Sequence, residues 1–197
     1  MNTVSPLDAH GGGALVWLRF AAVGVLTCGL LYPLLATISG QVLFPVQARG
    51  SLIERDGVVV GSRLLAQAFA AERYFQPRPS AANYDLRAAA GSNLAPSNPA
   101  LRERIAASST AISAREGIAV AAIPVDMVTA SGSGVDPHIS PASAAAQIGR
   151  VARARGLNEA DVQDLVTANT LPPTFGVLGQ ARVNVLELNL ALDAGVR

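Results

Sequence analysis

From Phe20 to Ile38 the chain reads FAAVGVLTCGLLYPLLATI, and no charged residue interrupts it between Arg19 and Arg49. A helix rises about 1.5 Å per residue, so this run covers roughly 28 Å, close to the roughly 30 Å hydrocarbon thickness of a bilayer. A cleaved export signal has a shorter apolar core, about 7 to 15 residues, followed by small residues at a cleavage site. The run is too long and lacks that ending. It is therefore predicted to be an uncleaved transmembrane anchor over residues 15–44, after a short polar tail over 1–14 and before one polar domain over 45–197. Pro33 cannot donate to the carbonyl four residues earlier, so the span is expected to kink there or to lean on a neighbouring helix. Ala36 and Gly40 form a small-xxx-small pair that permits close helix approach. Arg19 precedes the span while Arg49, Arg55 and Arg63 follow it. The positive-inside rule alone would keep the large domain cytoplasmic, but long domains translocate largely regardless of charge, so charge leaves the orientation open.

The rest of the composition excludes several chemistries. The formal net charge is +1, which gives the chain no overall attraction for nucleic acid. Every basic residue is arginine. A Schiff-base lysine and a P-loop lysine are both excluded. Cys28 is the single cysteine and lies in the apolar run, so no intramolecular disulfide can form. With 50% hydrophobic but only 5% aromatic residues, a core has to be assembled from Ala, Val, Leu and Ile, packed closely.

The polar domain reads as α+β, without a regular βαβ rhythm. Ser51–Arg55 and Val58–Ser62 flank Asp56-Gly57, a dipeptide suited to a two-residue hairpin turn. A helix is expected from Leu64 to about Arg73, with Leu64, Leu65, Ala68 and Phe69 on one face. Gln76–Asp85, carrying Pro77 and Pro79, is expected to be an ordered loop. Pro99–Glu116 has helix punctuation: Asn98 to cap, Pro99 to open, Gly117 to close. Around Pro124, residues 117–130 read as one bent strand or two. Ser140–Arg155 repeats the helix grammar, with Arg150, Arg153 and Arg155 near the end that favours cations. Asn158–Thr170 reads as a further helix with Val162, Leu165 and Val166 inward. Arg182–Leu192 alternates apolar and polar residues as a half-buried strand does.

Two loops run into helix starts. The first holds Gly91, Ser92, Asn93, Pro96, Ser97 and Asn98; the second holds Ser131, Gly132, Ser133, Gly134, Asp136, Pro137 and His138. Small residues before a helix can turn successive N–H groups toward an anion, so a phosphate site is one reading. Without a lysine a Walker-type loop is excluded, and turn architecture is the preferred reading. Ser133, His138 and Asp136 could be taken as a hydrolytic triad compressed into one loop. The sequence S-G-S-G is not a nucleophile elbow, and triad members usually come from separate elements. His138 and Asp136 are read instead as bonding the loop's own backbone. A metal site is not expected, since His10 lies across the span from His138. Gln147, on the first turns of the following helix, could reach a ligand held at that helix N-terminus.

On LIERDGVVVGSRLLAQAF (52–69), YFQPRPSAANYD (74–85), GSNLAPSNP (91–99), PVDMVTASGSGVDPHISPASAAAQIGRVARARGL (124–157) and RVNVLELNLALD (182–193), the sequence resembles the KdpC family, the small subunit of the bacterial Kdp potassium-transporting P-type ATPase. It departs from the family pattern at Ala95, where glycine is usual, and at Gln180-Ala181, where Glu-Pro is usual. The resemblance implies a non-catalytic subunit in the inner membrane, assembled with KdpA, KdpB and KdpF. It implies no cofactor of the chain's own, with ATP and Mg held on the ATPase partner. The family has been viewed as a catalytic chaperone for ATP binding, which makes Gln147 a nucleotide-contact candidate. It is also described with its large domain in the periplasm, where cytoplasmic ATP is out of reach, and the periplasmic placement is preferred. The alternatives from other classes are a membrane-anchored exported hydrolase using Ser133 and His138, and a stand-alone exported binding module.

Overall fold

The computed structural model describes residues 13–195, so most of the expected tail over 1–14, with His10, lies outside the described residues. Gly13–Leu43 is one continuous helix. Its parts are α1 (Gly13–Gly24), a π-helical stretch (Val25–Leu31) and α2 (Tyr32–Leu43). The π-helical stretch sits immediately before Pro33. The Tyr32 N–H reaches back five residues to the Thr27 carbonyl. A widened turn moves the preceding carbonyls away from the proline ring and accommodates the missing donor within a continuous helix. No side chain of this rod is buried. Over residues 20–38 it is apolar on every side, as suits lipid or other apolar helices. Four further residues, Pro45–Ala48, form the short α3.

The described residues divide into two units between Ser51 and Leu52. The second opens on an antiparallel hairpin, β1 (Leu52–Arg55) and β2 (Val58–Ser62). Asp56 and Gly57 both have positive φ, 52° and 77°, as a type I′ turn requires. A register shift between Ile53 and Glu54 bends the ribbon. The principal helices are α4 (Pro99–Glu116), α6 (Pro141–Arg155), α7 (Glu159–Ala168) and α8 (Val185–Gly195), with a single turn, α5 (Val125–Val128), between the first two. Three very short strands, β3 (His138–Ile139), β4 (Thr170–Leu171) and β5 (Arg182–Asn184), form an antiparallel sheet with β5 central. Val183 of β5, fully buried, stands opposite both Ile139 and Thr170. The core joins this sheet to α6, α7 and α8 through Phe75, Val151, Val162, Val183 and Leu188. Phe75 is its one buried aromatic.

The caps at Asn98 and Ser140 and the stops at Gly117 and Gly156 hold as the sequence reading expected, while Asn158, which also reads as a cap, precedes α7 without a side-chain cap bond. Asn98 Oδ1 accepts from the Ala100 N–H at 3.0 Å, Ser140 Oγ from the Ser143 N–H at 3.0 Å, and Gly117 and Gly156 close their helices at φ 72° and 68°. Three expectations fail. The helix over Leu64–Arg73 is absent. That segment is turn and loop: Ala66 N–H goes to the Val135 carbonyl, and the Phe69 carbonyl, which a helix here would give to the Arg73 N–H, accepts from Gln76 Nε2 at 2.6 Å. The strand reading of 117–130 gives way to a 3₁₀ turn over Val120–Ala122 and to α5. Pro124 lies at the start of α5, where its carbonyl accepts from Met127 N–H. The strand over Arg182–Leu192 stops at Asn184, whose Oδ1 caps the Glu187 N–H at 3.2 Å. Val185, Leu188, Asn189 and Leu192 are buried together at helical spacing.

Candidate functional site

Residues 72–77, a turn closed by the Tyr74 N–H on the Ala71 carbonyl at 3.2 Å and then chain outside any helix or strand, thread between α6 and α8, and side chains bond their backbone groups. Asn189 Oδ1 accepts the Phe75 N–H at 2.8 Å and its Nδ2 donates to the Phe75 carbonyl at 3.0 Å. Gln147 does the same for Gln76, accepting the N–H at 2.7 Å and donating to the carbonyl at 3.1 Å. Arg150 donates to the carbonyls of Glu72 and Tyr74, and Arg155 Nε to that of Arg73 at 2.8 Å. Gln147 is 1% exposed, and its amide nitrogen donates also to the Ser143 carbonyl at 3.2 Å. Arg150 Nη2 donates to Gln147 Oε1 at 2.9 Å, and Arg150 Nε pairs with Glu116 Oε2 at 2.9 Å. Glu116 and Arg150 are both buried, and Arg115 Nε reaches the other Glu116 oxygen at 2.7 Å. Arg150 is therefore an interior anchor, where the sequence alone grouped it with a solvated helix end.

The two glycine-serine loops lie against each other. A Cβ on Gly91 would come within 2.7 Å of the Gly132 carbonyl oxygen, and one on Gly134 within 2.7 Å of the Ala90 carbonyl oxygen. Gly134 also has φ 75°, so glycine is required there twice over. Ser131 is buried, and its N–H donates to the Pro79 carbonyl at 3.0 Å. Ser80 Oγ donates to the Gly134 carbonyl at 2.5 Å. In the first loop, Asn93 takes φ 47°, and Pro96 and Ser97 form the turn that the Asn98 N–H closes on the Ala95 carbonyl at 2.9 Å. Ser92 is half-buried beside Gly91. At the α6 N-terminus an internal carboxylate is already in place. Asp126 accepts from the Ser140 N–H at 2.8 Å and from the Ser140 and Ser143 hydroxyls at 2.9 and 2.5 Å. The positive end of α6 is thus met by the protein's own anion.

Asp136 and His138 line an open cleft of about 540 Å³ together with Arg78, Asp126 and Arg182. Asp136 Oδ1 accepts from the His138 N–H at 3.0 Å and faces His138 Nδ1 at 3.3 Å, while Arg78 Nη1 lies 3.4 Å from Asp136 Oδ2. Ser133 Oγ accepts from the Val135 N–H at 3.2 Å, and no hydrogen bond joins Ser133 to His138 among the described residues. Gln147 lies apart from this cleft, on a cavity of about 20 Å³ with Gln76, Asp126 and Ser143. Among the described residues, no group of three His, Cys, Asp or Glu side chains is placed to share a metal ion.

The His138 side chain holds the Asp136 carboxyl below its usual range, with the His138 N–H and Arg78 adding to that effect against the opposing push of burial. Burial pushes Asp193 upward, but hydrogen bonds from Arg155 and Tyr74 outweigh it and the net shift is down. A carboxylate lowered on folding stabilises the native state above the unfolded value of about 3.9, and that stabilisation is lost as pH falls through the lowered native value. The denaturant midpoint is therefore expected to be flat in these two groups near neutrality and to drop below about pH 4. In Asp136→Asn and Asp193→Asn proteins the acid drop should be shallower when midpoints are measured across that range.

A protruding turn escaped the sequence reading. Thr174 and Leu178 bridge, and between them Phe175 and Gly176 take φ 55° and 77°. Phe175 is 89% exposed, with Val177 and Leu178 beside it also exposed. The P-P-T-F-G run contains both breaker and turn residues, and that was the available signal.

A family model described as "KdpC: K+-transporting ATPase, c chain" matches residues 15–194. The chain belongs to the KdpC family. A relative from Shewanella putrefaciens named "Potassium-transporting ATPase KdpC subunit" is 54% identical over 180 residues, covering 91% of this chain and 90% of its own. One of the same name from Xanthomonas oryzae pv. oryzae is 55% identical over 195 residues, covering 98% and 92%. Another from Sorangium cellulosum is 55% identical over 168 residues, covering 84% and 88%. The match to KdpC takes in the helix from Leu15 onward, both loops, Gln147 and the buried Glu116–Arg150 pair. Ala95, where the KdpC pattern was expected to carry glycine, is not among the residues of positive φ, so alanine fits there without strain.

Proposed function

We propose that this chain is an accessory, non-catalytic subunit of an ATP-driven potassium uptake complex, joined to it by the Gly13–Leu43 helix. The observation that carries the reading is the KdpC match, which runs from that helix through nearly the whole second unit. A rod with no buried side chain, and an exposed Phe175 turn on the second unit, give the chain apolar surface to spend on larger neighbours. KdpA, KdpB and KdpF are the proposed partners, with KdpB holding ATP and Mg. Gln147 serves the fold in this reading, since both ends of its amide are used on Gln76. The polar domain acts from the periplasmic side of the inner membrane, and its support of ATP hydrolysis passes through the assembly.

The assembly is tested by detergent extraction and affinity purification of the full chain. The partner subunits should co-purify, and cells lacking the chain should fail to grow at limiting potassium. Recovery of this chain alone at native expression would overturn the reading. Placement is tested with Cys28→Ser combined with Ala81→Cys, an exposed loop position. A membrane-impermeant maleimide is expected to label that cysteine in intact cells, and labelling only after lysis would put the domain in the cytoplasm.

A further inference from the structure

On the second unit, away from the loops, three arginines converge on one carboxylate. Arg155 Nη2 lies 2.8 Å from Asp193 Oδ1, and Arg55 Nη1 lies 3.5 Å from Asp193 Oδ2. The Tyr74 hydroxyl donates to the same Oδ2 at 3.1 Å and accepts from Arg73 Nη2 at 3.2 Å. The guanidinium carbons of Arg73 and Arg155 stand 5.2 and 5.0 Å from the Tyr74 ring centroid, so the ring fixes both cations. A cleft of about 500 Å³ opens here, lined by Arg55, Arg73, Ala154, Arg155 and Asp193. Four elements contribute: the end of β1, the turn at Arg73, the last turn of α6 and, through Asp193, α8. One carboxylate cannot neutralise three guanidiniums. The C-terminal end of α6 offsets part of the Arg155 charge, and Arg55 and Arg73 keep donors facing solvent.

We propose that this cleft binds a phosphate group, through the forks of Arg55 and Arg73 with Arg155 as the fixed wall. Guanidinium forks match phosphate oxygens in pairs, which a point-charged ammonium cannot do. Asp193 sets selectivity by orienting Arg155 and by repelling an anion that enters too deeply. The group can arrive free in solution or on the headgroup of an anionic phospholipid, and the chain's own membrane helix ends at Leu43, a short stretch of sequence before Arg55.

The test uses the full chain in an uncharged detergent, titrated by calorimetry with inorganic phosphate, with a soluble short-chain phosphatidylglycerol and with the matching phosphatidylcholine. Saturable binding with a Kd on the order of 1 mM or tighter is expected for phosphate, for phosphatidylglycerol or for both, and not for phosphatidylcholine. Saturation by phosphate identifies the free anion as a sufficient ligand, and saturation by phosphatidylglycerol alone identifies the headgroup. In Arg55→Ala/Arg73→Ala the affinity should fall roughly tenfold or more, while Arg63→Ala, a surface arginine paired with Glu187, should bind as the parent does. Melting of the double variant without ligand should be unchanged. The proposal fails if neither phosphate compound saturates, if phosphatidylcholine binds as well as phosphatidylglycerol, or if the double variant binds as tightly as the parent.

Discussion

Arg150→Ala is expected to destabilise the polar domain by about 3–5 kcal/mol, the usual consequence of leaving one member of a buried ion pair uncompensated. The side chains of Glu116 and Arg150 are 0% and 4% exposed, so water cannot take the place of the missing partner. The carbonyls of Glu72 and Tyr74 lose a donor at the same time. For a domain of this size the melting temperature should fall by roughly 10 °C. Thermal unfolding of the detergent-solubilised chain measures it. Glu116→Leu combined with Arg150→Met removes both charges and should recover part of the loss. Recovery stays partial, because those two carbonyls remain without the guanidinium. A melting curve for Arg150→Ala that overlays the parent would mean that the pair contributes nothing to holding α4 and α6 together.

Gln147→Ala is expected to cost about 2–4 kcal/mol, since it leaves both the N–H and the carbonyl of Gln76 without their partner in a part-buried site. Gln147→Glu should cost less. The carboxylate can still accept from Gln76 N–H and from Arg150, and loses the donor that serves the Gln76 and Ser143 carbonyls. The order parent, Glu, Ala in stability is the signature of a structural amide. A nucleotide ligand would give another pattern, in which ATP-linked activity of the assembled complex falls while the melting curve of the substituted chain stays in place. Measuring both on the same preparations separates the two roles.

The parts of the fold that were legible in the sequence are those written in local chemistry. Asn98-Pro99, Ser140-Pro141, Gly117 and Gly156 mark helix ends because each satisfies or relieves a backbone group within a few residues. Asp56-Gly57 marks a hairpin for the same reason. The misread segments depend on distant partners. Leu64–Arg73 has a helical apolar pattern, but the Phe69 carbonyl is taken by the Gln76 side chain and the Ala66 N–H by the Val135 carbonyl, and nothing within the segment announces either. In 182–192 both periods fit, since Val183, Val185 and Asn189 suit a strand while Val185, Leu188, Asn189 and Leu192 suit a helix. Asn184 decides between them by capping. The site was legible as two unusual loops and one glutamine. Their relation was not. Gln147 meets Gln76 and Glu116 meets Arg150 only after folding, and the Arg55, Arg73 and Arg155 cleft combines residues that never approach one another in sequence.

The segment Glu72–Gln76 has a further consequence for a protein that must fold next to a membrane. Backbone groups left free outside helices and strands are open to pairing with other chains. Here the carbonyls of Glu72, Arg73, Tyr74, Phe75 and Gln76 and the N–H groups of Phe75 and Gln76 are all taken up by Arg150, Arg155, Asn189 and Gln147. Helical side chains blank this stretch on both flanks, so it offers no foothold for amyloid-like self-association as long as α6 and α8 stay docked.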